Sequence, residues 1–291
     1  MVPGAAERER SRRAGPRAVA AALLLLPGLL GAAAAAPRRV VSLNLCADQL
    51  LMLLAERERI ASLSFLAADP VVSAMAAAAT GLPVNHGLVE EVLPLEPDLV
   101  LAGAYTARSA VALLRRLGYR VVVLAPATTL DGIRANLRTV AAALDERERG
   151  EALLAAFEQA LGPPPRAAPG EAPVAALYVA NGYSPGRGTL ADALVRRAGL
   201  RNLAAERGLT GLAPLPVETL LMARPDLLVI GRSYRGPALA DAPLRHPALA
   251  KAFAGRATVH IPDRLWSCGT PLVAEAVRRL RAARARVRQG R

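Results

Sequence analysis

The sequence predicts an α/β protein of two lobes bridged by one long α-helix, with a cleft between the lobes. Three observations carry this. Apolar residues recur at helical spacing from Leu130 to Leu161. Short β-branched runs alternate with helical runs on both sides of that stretch. A segment of the first half returns 128 positions later in the second.

The linking helix rests on Leu130, Ile133, Leu137, Val140, Ala141 and Leu144, continued by Leu153, Leu154, Phe157 and Leu161. Thr129 and Asp131 suit its start. Gly162-Pro163-Pro164-Pro165 ends it, because proline cannot continue a helix. The expected organisation is a secretory segment over 1–36, a first lobe over 37–128, the bridging helix over 129–162 and a second lobe over 163–291.

In the first lobe, 40–43, 60–63, 99–102 and 121–124 read as strands. Helical runs at 49–55, 71–79, 90–95 and 107–117 separate them. In the second lobe, 174–179, 227–230 and 259–261 read as strands. Helices are expected over 190–198, 217–223 and from Thr270-Pro271 onward, where proline in the first turn has no amide to leave unpaired. Strands alternating with helices imply parallel pairing through crossovers, so each lobe is expected to be Rossmann-like.

Composition narrows the class. The chain has 291 residues, 53% of them hydrophobic, enough for two lobes with cores. Of the formal charge of +13, the first 36 residues carry +3 and the stretch from Arg278 to Arg291 carries +7. The body is left at +3, and the basic tail has no interleaved aromatic for base stacking. Nucleic acid is not the expected partner, and the tail reads as the solvated face of a last helix. At the N-terminus, Arg12, Arg13 and Arg17 precede an apolar run over 18–30 and a small-residue stretch over 31–36. That is the pattern of a signal peptide cleaved near 34–36, with a core too short for a comfortable membrane span. Export to an oxidising compartment permits a disulfide.

The repeat pairs Glu90 through Val100 with Glu218 through Leu228. Each copy is a Glu, a turn or two of helix, Pro-Asp and an apolar strand. One reading gives both Glu to the helix dipole. The other makes them matched surface carboxylates, one per lobe.

These residues carry a resemblance. Arg39-Val40-Val41-Ser42-Leu43, the run from Glu90 through Pro97-Asp98-Leu99-Val100-Leu101-Ala102, Leu117-Gly118-Tyr119-Arg120-Val121 and the long linking helix stand in an order spanning the mature chain. The chain resembles the periplasmic substrate-binding proteins of ABC importers that have a helical backbone, of the vitamin B12 and ferric-siderophore type. The resemblance implies an interlobe ligand site and docking of one Glu per lobe on arginines of the permease. Glu90 and Glu218 match that pattern.

In such a fold the ligand contacts loops that follow strand ends. The candidates are Asn44, Cys46, Phe65, His86, Tyr105 and Arg108 from the first lobe, with Leu66 beside them. From the second they are Asn181, Tyr183, Tyr234, Trp266 and Cys268, with Arg187 and Arg235. Aromatics are only 3% of the chain, so the placement of Tyr105, Tyr183, Tyr234 and Trp266 after strands points to a ring-shaped ligand. Cys46 and Cys268 admit three readings: a disulfide, thiolate ligands to a soft metal together with His86 or His260, or two separate buried thiols. The cobalamin-binding pattern does not obviously carry such a pair.

Other classes fare worse. Three His and no spaced motif argue against a dedicated metal site. Ser42, Ser73 and Ser184 have no nucleophile elbow, and the stretch from Gly182 to Gly188 lacks the phosphate-loop pattern and its Lys. The expectation is a non-enzymatic, exported, monomeric solute-binding protein with no resident cofactor. It captures a corrinoid such as cobalamin or a ferric siderophore and delivers it to an ABC importer. The alternatives are a haem or soft-metal binder using Cys46 and Cys268, or a Cys-dependent enzyme.

Overall fold

The computed structural model describes residues 36–165, 171–232 and 238–289. The stretch expected to be a secretory segment, apart from residue 36, lies outside the described residues, as do Tyr234 and Arg235. The first lobe begins with β1 (Val40–Ser42), fully buried as a β-branched central strand should be. Asn44 caps α1 (Leu45–Leu54): its side-chain oxygen accepts the amide protons of Cys46 at 3.0 Å and Ala47 at 3.3 Å. This cap starts the helix ahead of the Gln49 expected from apolar spacing.

β2 (Ile60–Ser64), α2 (Ala76–Ala79), β3 (Val84–Asn85), α3 (Val89–Val92), β4 (Leu99–Gly103), α4 (Arg108–Arg116) and β5 (Val121–Leu124) complete the lobe. Its parallel sheet runs β3-β2-β1-β4-β5. Two-residue β3 is too short for alternation to reveal. The helix expected over 71–79 shrinks to α2. Side chains alternate across the sheet. Val40, Leu99 and Leu101 pack with Leu50, Leu51 and Leu54 of α1, while Val41, Val100 and Ala102 pack under α3 and α4.

The bridge is helical but is not one helix. It is α5 (Leu130–Leu144) followed by α6 (Arg147–Leu161). Asp145 adopts a left-handed φ of 60°, and the amide of Glu146 donates to the Ala141 carbonyl at 2.7 Å. With Asp145 N–H donating toward Ala142, this is a Schellman stop built on Asp where Gly is usual. The helices fold back on each other through Arg134–Glu158 and Arg138–Glu151 pairs, each 2.7 Å. At Gly150 an added Cβ would stand 2.5 Å from that of Ala141, so the close approach needs glycine. Leu137, Val140 and Leu144 of α5 and Leu154 of α6 pack in the first lobe. Ile133 of α5 and Phe157 and Leu161 of α6 pack in the second.

The second lobe contains β6 (Val174–Tyr178), β7 (Tyr183–Pro185), α7 (Leu190–Arg197), β8 (Arg201–Asn202), α8 (Leu203–Glu206), β9 (Leu212–Pro214) and α9 (Val217–Ala223). β10 (Leu227–Arg232), α10 (Pro247–Ala252), β11 (Ala257–Pro262) and α11 (Ala274–Gln289) follow. The parallel sheet runs β11-β10-β6-β8, and β7 pairs with β9 as an antiparallel ribbon. Alternation again splits the core. Leu177, Val229 and Ile261 face α6, α7 and α11, whereas Ala176, Tyr178 and Leu228 face α9 and α10.

The repeat is a structural device. After α3 and after α9 the chain turns through left-handed Glu96 (φ 42°) and Arg224 (φ 44°). The next Pro-Asp then caps the first strand of its own lobe. The Asp98 carboxylate accepts the amides of Arg38 at 2.7 Å and Arg39 at 3.0 Å, and its own amide donates to Arg39. The Asp226 carboxylate accepts the Val174 amide at 2.8 Å, and its amide donates back to Val174.

Candidate functional site

Parallel strands bring the loops that follow them to one edge of each sheet. In the first lobe that edge carries Asn44 after β1, Phe65 after β2, His86 after β3, Tyr105 after β4 and residues 125–128 after β5. In the second it carries Asn181 after β6 and 263–266 after β11.

A pocket of about 360 Å³ takes walls from both lobes. Its lining includes Asn44, Cys46, Tyr105 and Thr106 from the first lobe, Ala127 and Asn136 around the start of α5, and Leu190, Ser267 and Gly269 from the second. Of the expected residues, it unites Asn44, Cys46 and Tyr105. Asn44 is committed to structure: besides capping α1 it donates Nδ2–H to Thr106 Oγ1 at 2.8 Å. Gly103 follows from this, since a Cβ there would stand 2.9 Å from Asn44 Nδ2. Tyr105 is 78% exposed. Thr106, Asn136, Leu190, Ser267 and Gly269 escaped the sequence reading; the loop at 125–128, directly after a strand, was the available signal.

Phe65 and His86 stack on each other, ring centroids 5.1 Å apart at 24°. Glu91 holds the imidazole: its carboxylate meets Nδ1 at 2.9 Å and accepts the His86 amide proton at 2.6 Å. These bonds lower the Glu91 pKa. The carboxylate thus engages Nδ1 of a side chain that is 61% exposed; neither Phe65 nor His86 lines the pocket between the lobes. Arg108 is exposed at the start of α4, outside the pocket between the lobes, in a shallower one beside Val111 and Arg115.

The second lobe departs further from expectation. Trp266 is 7% exposed, lies in the lobe's core and donates Nε1–H to Asp263 at 3.1 Å, so it is a packing residue and not part of the cleft lining. Burial raises the Asp263 pKa, with the Trp266 bond opposing and nearby Asp241 adding to it. Tyr183 stands in β7 and not in a loop; it is 38% exposed. Asn181, left-handed at φ 58°, lines a separate open pocket of about 500 Å³ together with Tyr178, Glu218 and His246. Arg187 donates to the Ala205 carbonyl at 3.0 Å. Leu66 is half-buried. Glu90 and Glu218 are both exposed, each in the first turn of its helix.

Cys46 and Cys268 form a disulfide, with Cα atoms 5.0 Å apart. This corrects the reading of two separate thiols. It also removes the thiolates that a soft-metal site or a cysteine nucleophile at these positions requires. Among the described residues no group of three or more His, Cys, Asp or Glu is placed to hold a metal ion.

The family model described as periplasmic binding protein matches residues 40–260. The chain belongs to the periplasmic binding protein family. That is a family of binding proteins and not of enzymes. The cobalamin-binding protein of Halobacterium salinarum is 30% identical over 202 residues, covering 68% of this chain and 54% of that protein. The chain thus spans about half the length of the curated relatives it matches. The periplasmic heme-binding protein RhuT from Roseiflexus sp. RS-1 shares 24% identity, with 86% of this chain and 98% of that one covered and a TM-score of 0.70. A periplasmic heme binding protein from Pseudomonas aeruginosa shares 25% identity over 85% and 92% of the two chains, TM-score 0.67. The periplasmic vitamin B12 binding protein BtuF of Vibrio cholerae shares the fold at 17% identity over 87% and 98%, TM-score 0.62.

Proposed function

We propose that this periplasmic binding protein captures a metal already held in a chelating ring, a corrinoid or haem, or a ferric siderophore, in the cleft between its lobes. It then delivers the cargo to an ABC importer as an exported monomer. The observation that carries the reading is His86, held at Nδ1 by Glu91 and stacked on Phe65, at the same sheet edge as the pocket residues Asn44 and Tyr105. A carboxylate behind a histidine fixes the tautomer and raises the basicity of the outward nitrogen. One oriented imidazole is too few donors for a bare ion, which takes several ligands. It is enough to complete the coordination of a metal whose other positions a macrocycle fills. Phe65 and Tyr105 add exposed flat apolar area for such a ring. The names of the relatives, cobalamin-binding and heme-binding, agree with the class.

The test is an absorbance titration of the mature protein with haemin, hydroxocobalamin and ferric ferrichrome. One of them is expected to saturate at one equivalent. For haemin or hydroxocobalamin, His86→Ala should alter the spectrum and weaken binding at least tenfold. Saturation by none of the three would overturn the reading. Charge reversal at both Glu90 and Glu218 tests delivery: import should fall while affinity is kept. A loss of affinity instead would move those carboxylates into the ligand site.

A further inference from the structure

The Cys46–Cys268 bond joins the first turn of α1, in one lobe, to the loop preceding α11 in the other, across 222 residues of sequence. Cys46 lines the interlobe pocket and Cys268 is 3% exposed between lining residues Ser267 and Gly269, so the bond runs along one stretch of the lining, here termed the floor. Two further contacts cross at the same place. Thr270 donates its hydroxyl to Gln49 Oε1 at 3.3 Å. The backbone at Gly269 packs so closely on Ala127 that a Cβ would stand 2.4 Å from that of Ala127. The floor is not held by its hydrogen bonding alone, because Gln49 Nε2 is buried there without a partner.

We propose that this disulfide is a clamp that fixes the spacing of the two lobes at the cleft floor, so that the cleft meets its ligand already at its working width. The chain itself passes between the lobes through the α5–α6 pair. Both helices pack in both lobes, so this connection relies on side-chain packing along the pair, on which one lobe can shift against the other. The disulfide adds a covalent link far away in sequence that limits such a shift, and the tight Gly269–Ala127 contact lies beside it. Cys46 and Cys268 are therefore positioning residues: the bond leaves no thiol for the ligand, and each cysteine anchors loop residues that line the pocket. The proposal rests on the cleft being the ligand site.

The experiment compares the full mature chain in four states: oxidised, reduced with dithiothreitol, re-oxidised, and carrying C46S with C268S. Alkylation after denaturation should find no thiol in the first and two in the second. Hydrogen exchange at labelling times of seconds to minutes, where local opening dominates over global unfolding, reads the floor. Exchange in 44–50 and 267–273 is expected to rise at least tenfold on reduction, to stay unchanged in 99–103 and 227–231, and to return on re-oxidation. No rise at the floor, or an equal rise in the sheets, would overturn the clamp. Haemin and hydroxocobalamin dissociation is then followed on the same samples. A loosened floor should speed dissociation at least tenfold and be rescued by re-oxidation; an unchanged rate in all four states would also overturn it. If neither probe binds any sample, the ligand reading fails, while the exchange result still decides the clamp.

Discussion

Asp48 offers a sharp test of how the first lobe is held together. It sits on α1 two positions past Cys46, fully buried, and accepts from the Ser64 amide at 3.1 Å and from the Ser64 hydroxyl. It thereby ties the helix to the carboxyl end of β2. Burial pushes its pKa from 3.8 up to about 7, against the lowering effect of hydrogen bonds from Ser42 and Ser64. A native pKa above the unfolded one means the folded state holds the proton more tightly. The associated stability is fully present below pH 3.8 and is lost as pH rises through about 7. At ~1.4 kcal/mol per unit, the whole span is on the order of 4 kcal/mol. Asp48→Asn is the matched perturbation, since its Oδ1 still accepts the Ser64 amide and its NH2 donates where the protonated acid would. Urea unfolding of both oxidised proteins between pH 4.5 and 7.5 is the assay. The stability of the wild type relative to the Asn variant should fall by about 1.4 kcal/mol per pH unit from pH 4.5 to about 6.5, one proton's worth, and level off above about 7. Parallel pH profiles for the two proteins would refute the assignment of a neutral, buried Asp48.

Three further outcomes follow from the packing. Gly269→Ala should cost about 1–3 kcal/mol in urea unfolding by overpacking, and Ala127→Gly in the same chain should recover part of it. Asp226→Ala leaves the part-buried Val174 amide without its carboxylate, for about 1–3 kcal/mol, whereas Asp98→Ala frees exposed amides to water for about 0.5–1.5 kcal/mol; the double variant should show the sum within ~0.5 kcal/mol. Reducing the disulfide releases a closed loop of more than two hundred residues, which loop-closure entropy values at about 5 kcal/mol, read as a lower urea midpoint in dithiothreitol.

The fold class was legible because both signals behind it are periodic. The strands of the two sheets appear as apolar runs, and the linking stretch keeps helical spacing throughout. That same continuity hid the break at Asp145. α5 and α6 bury residues in nearly unbroken register, and the stop uses Asp in a left-handed conformation where glycine would have signalled it. Gly150 was the visible clue, a glycine within a helical run that makes sense only at a close approach. The site was less legible. Strand-end loops put Asn44, Phe65, His86 and Tyr105 at one edge of the first sheet, where only Asn44 and Tyr105 line the interlobe pocket, and spacing cannot say whether an aromatic faces in or out. Trp266 is turned into the core by its bond to Asp263. Nor does local pattern identify a partner far along the chain, so neither the Cys46–Cys268 bond nor the capping of Arg38 by Asp98 could be read from neighbours.

The repeat supplies a separate argument about Glu90 and Glu218. Most of its matched positions have a job inside their own lobe. Glu96 and Arg224 make the left-handed turn, and Asp98 and Asp226 cap the first strand. Gly103 and Gly231 end the next strand where a Cβ would strike Asn44 or Asp263. Glu90 and Glu218 are matched as well, yet both are exposed. The helix dipole gives each at most a small role: a first-turn carboxylate contributes ~0.3–1 kcal/mol, which Glu90 shares with Glu91 in α3 and Glu218 supplies alone in α9. A duplicated scaffold preserves equivalent positions on its two halves, and a carboxylate on each half with so small a role inside it suits a partner that grips both. A permease presenting one arginine to each lobe meets that description, and a bidentate pair at each point would make the grip depend on the spacing of the lobes. The floor disulfide sets that same spacing. Reduction is therefore expected to weaken docking as well as ligand retention, and a docking affinity indifferent to reduction would separate the two carboxylates from the geometry of the cleft.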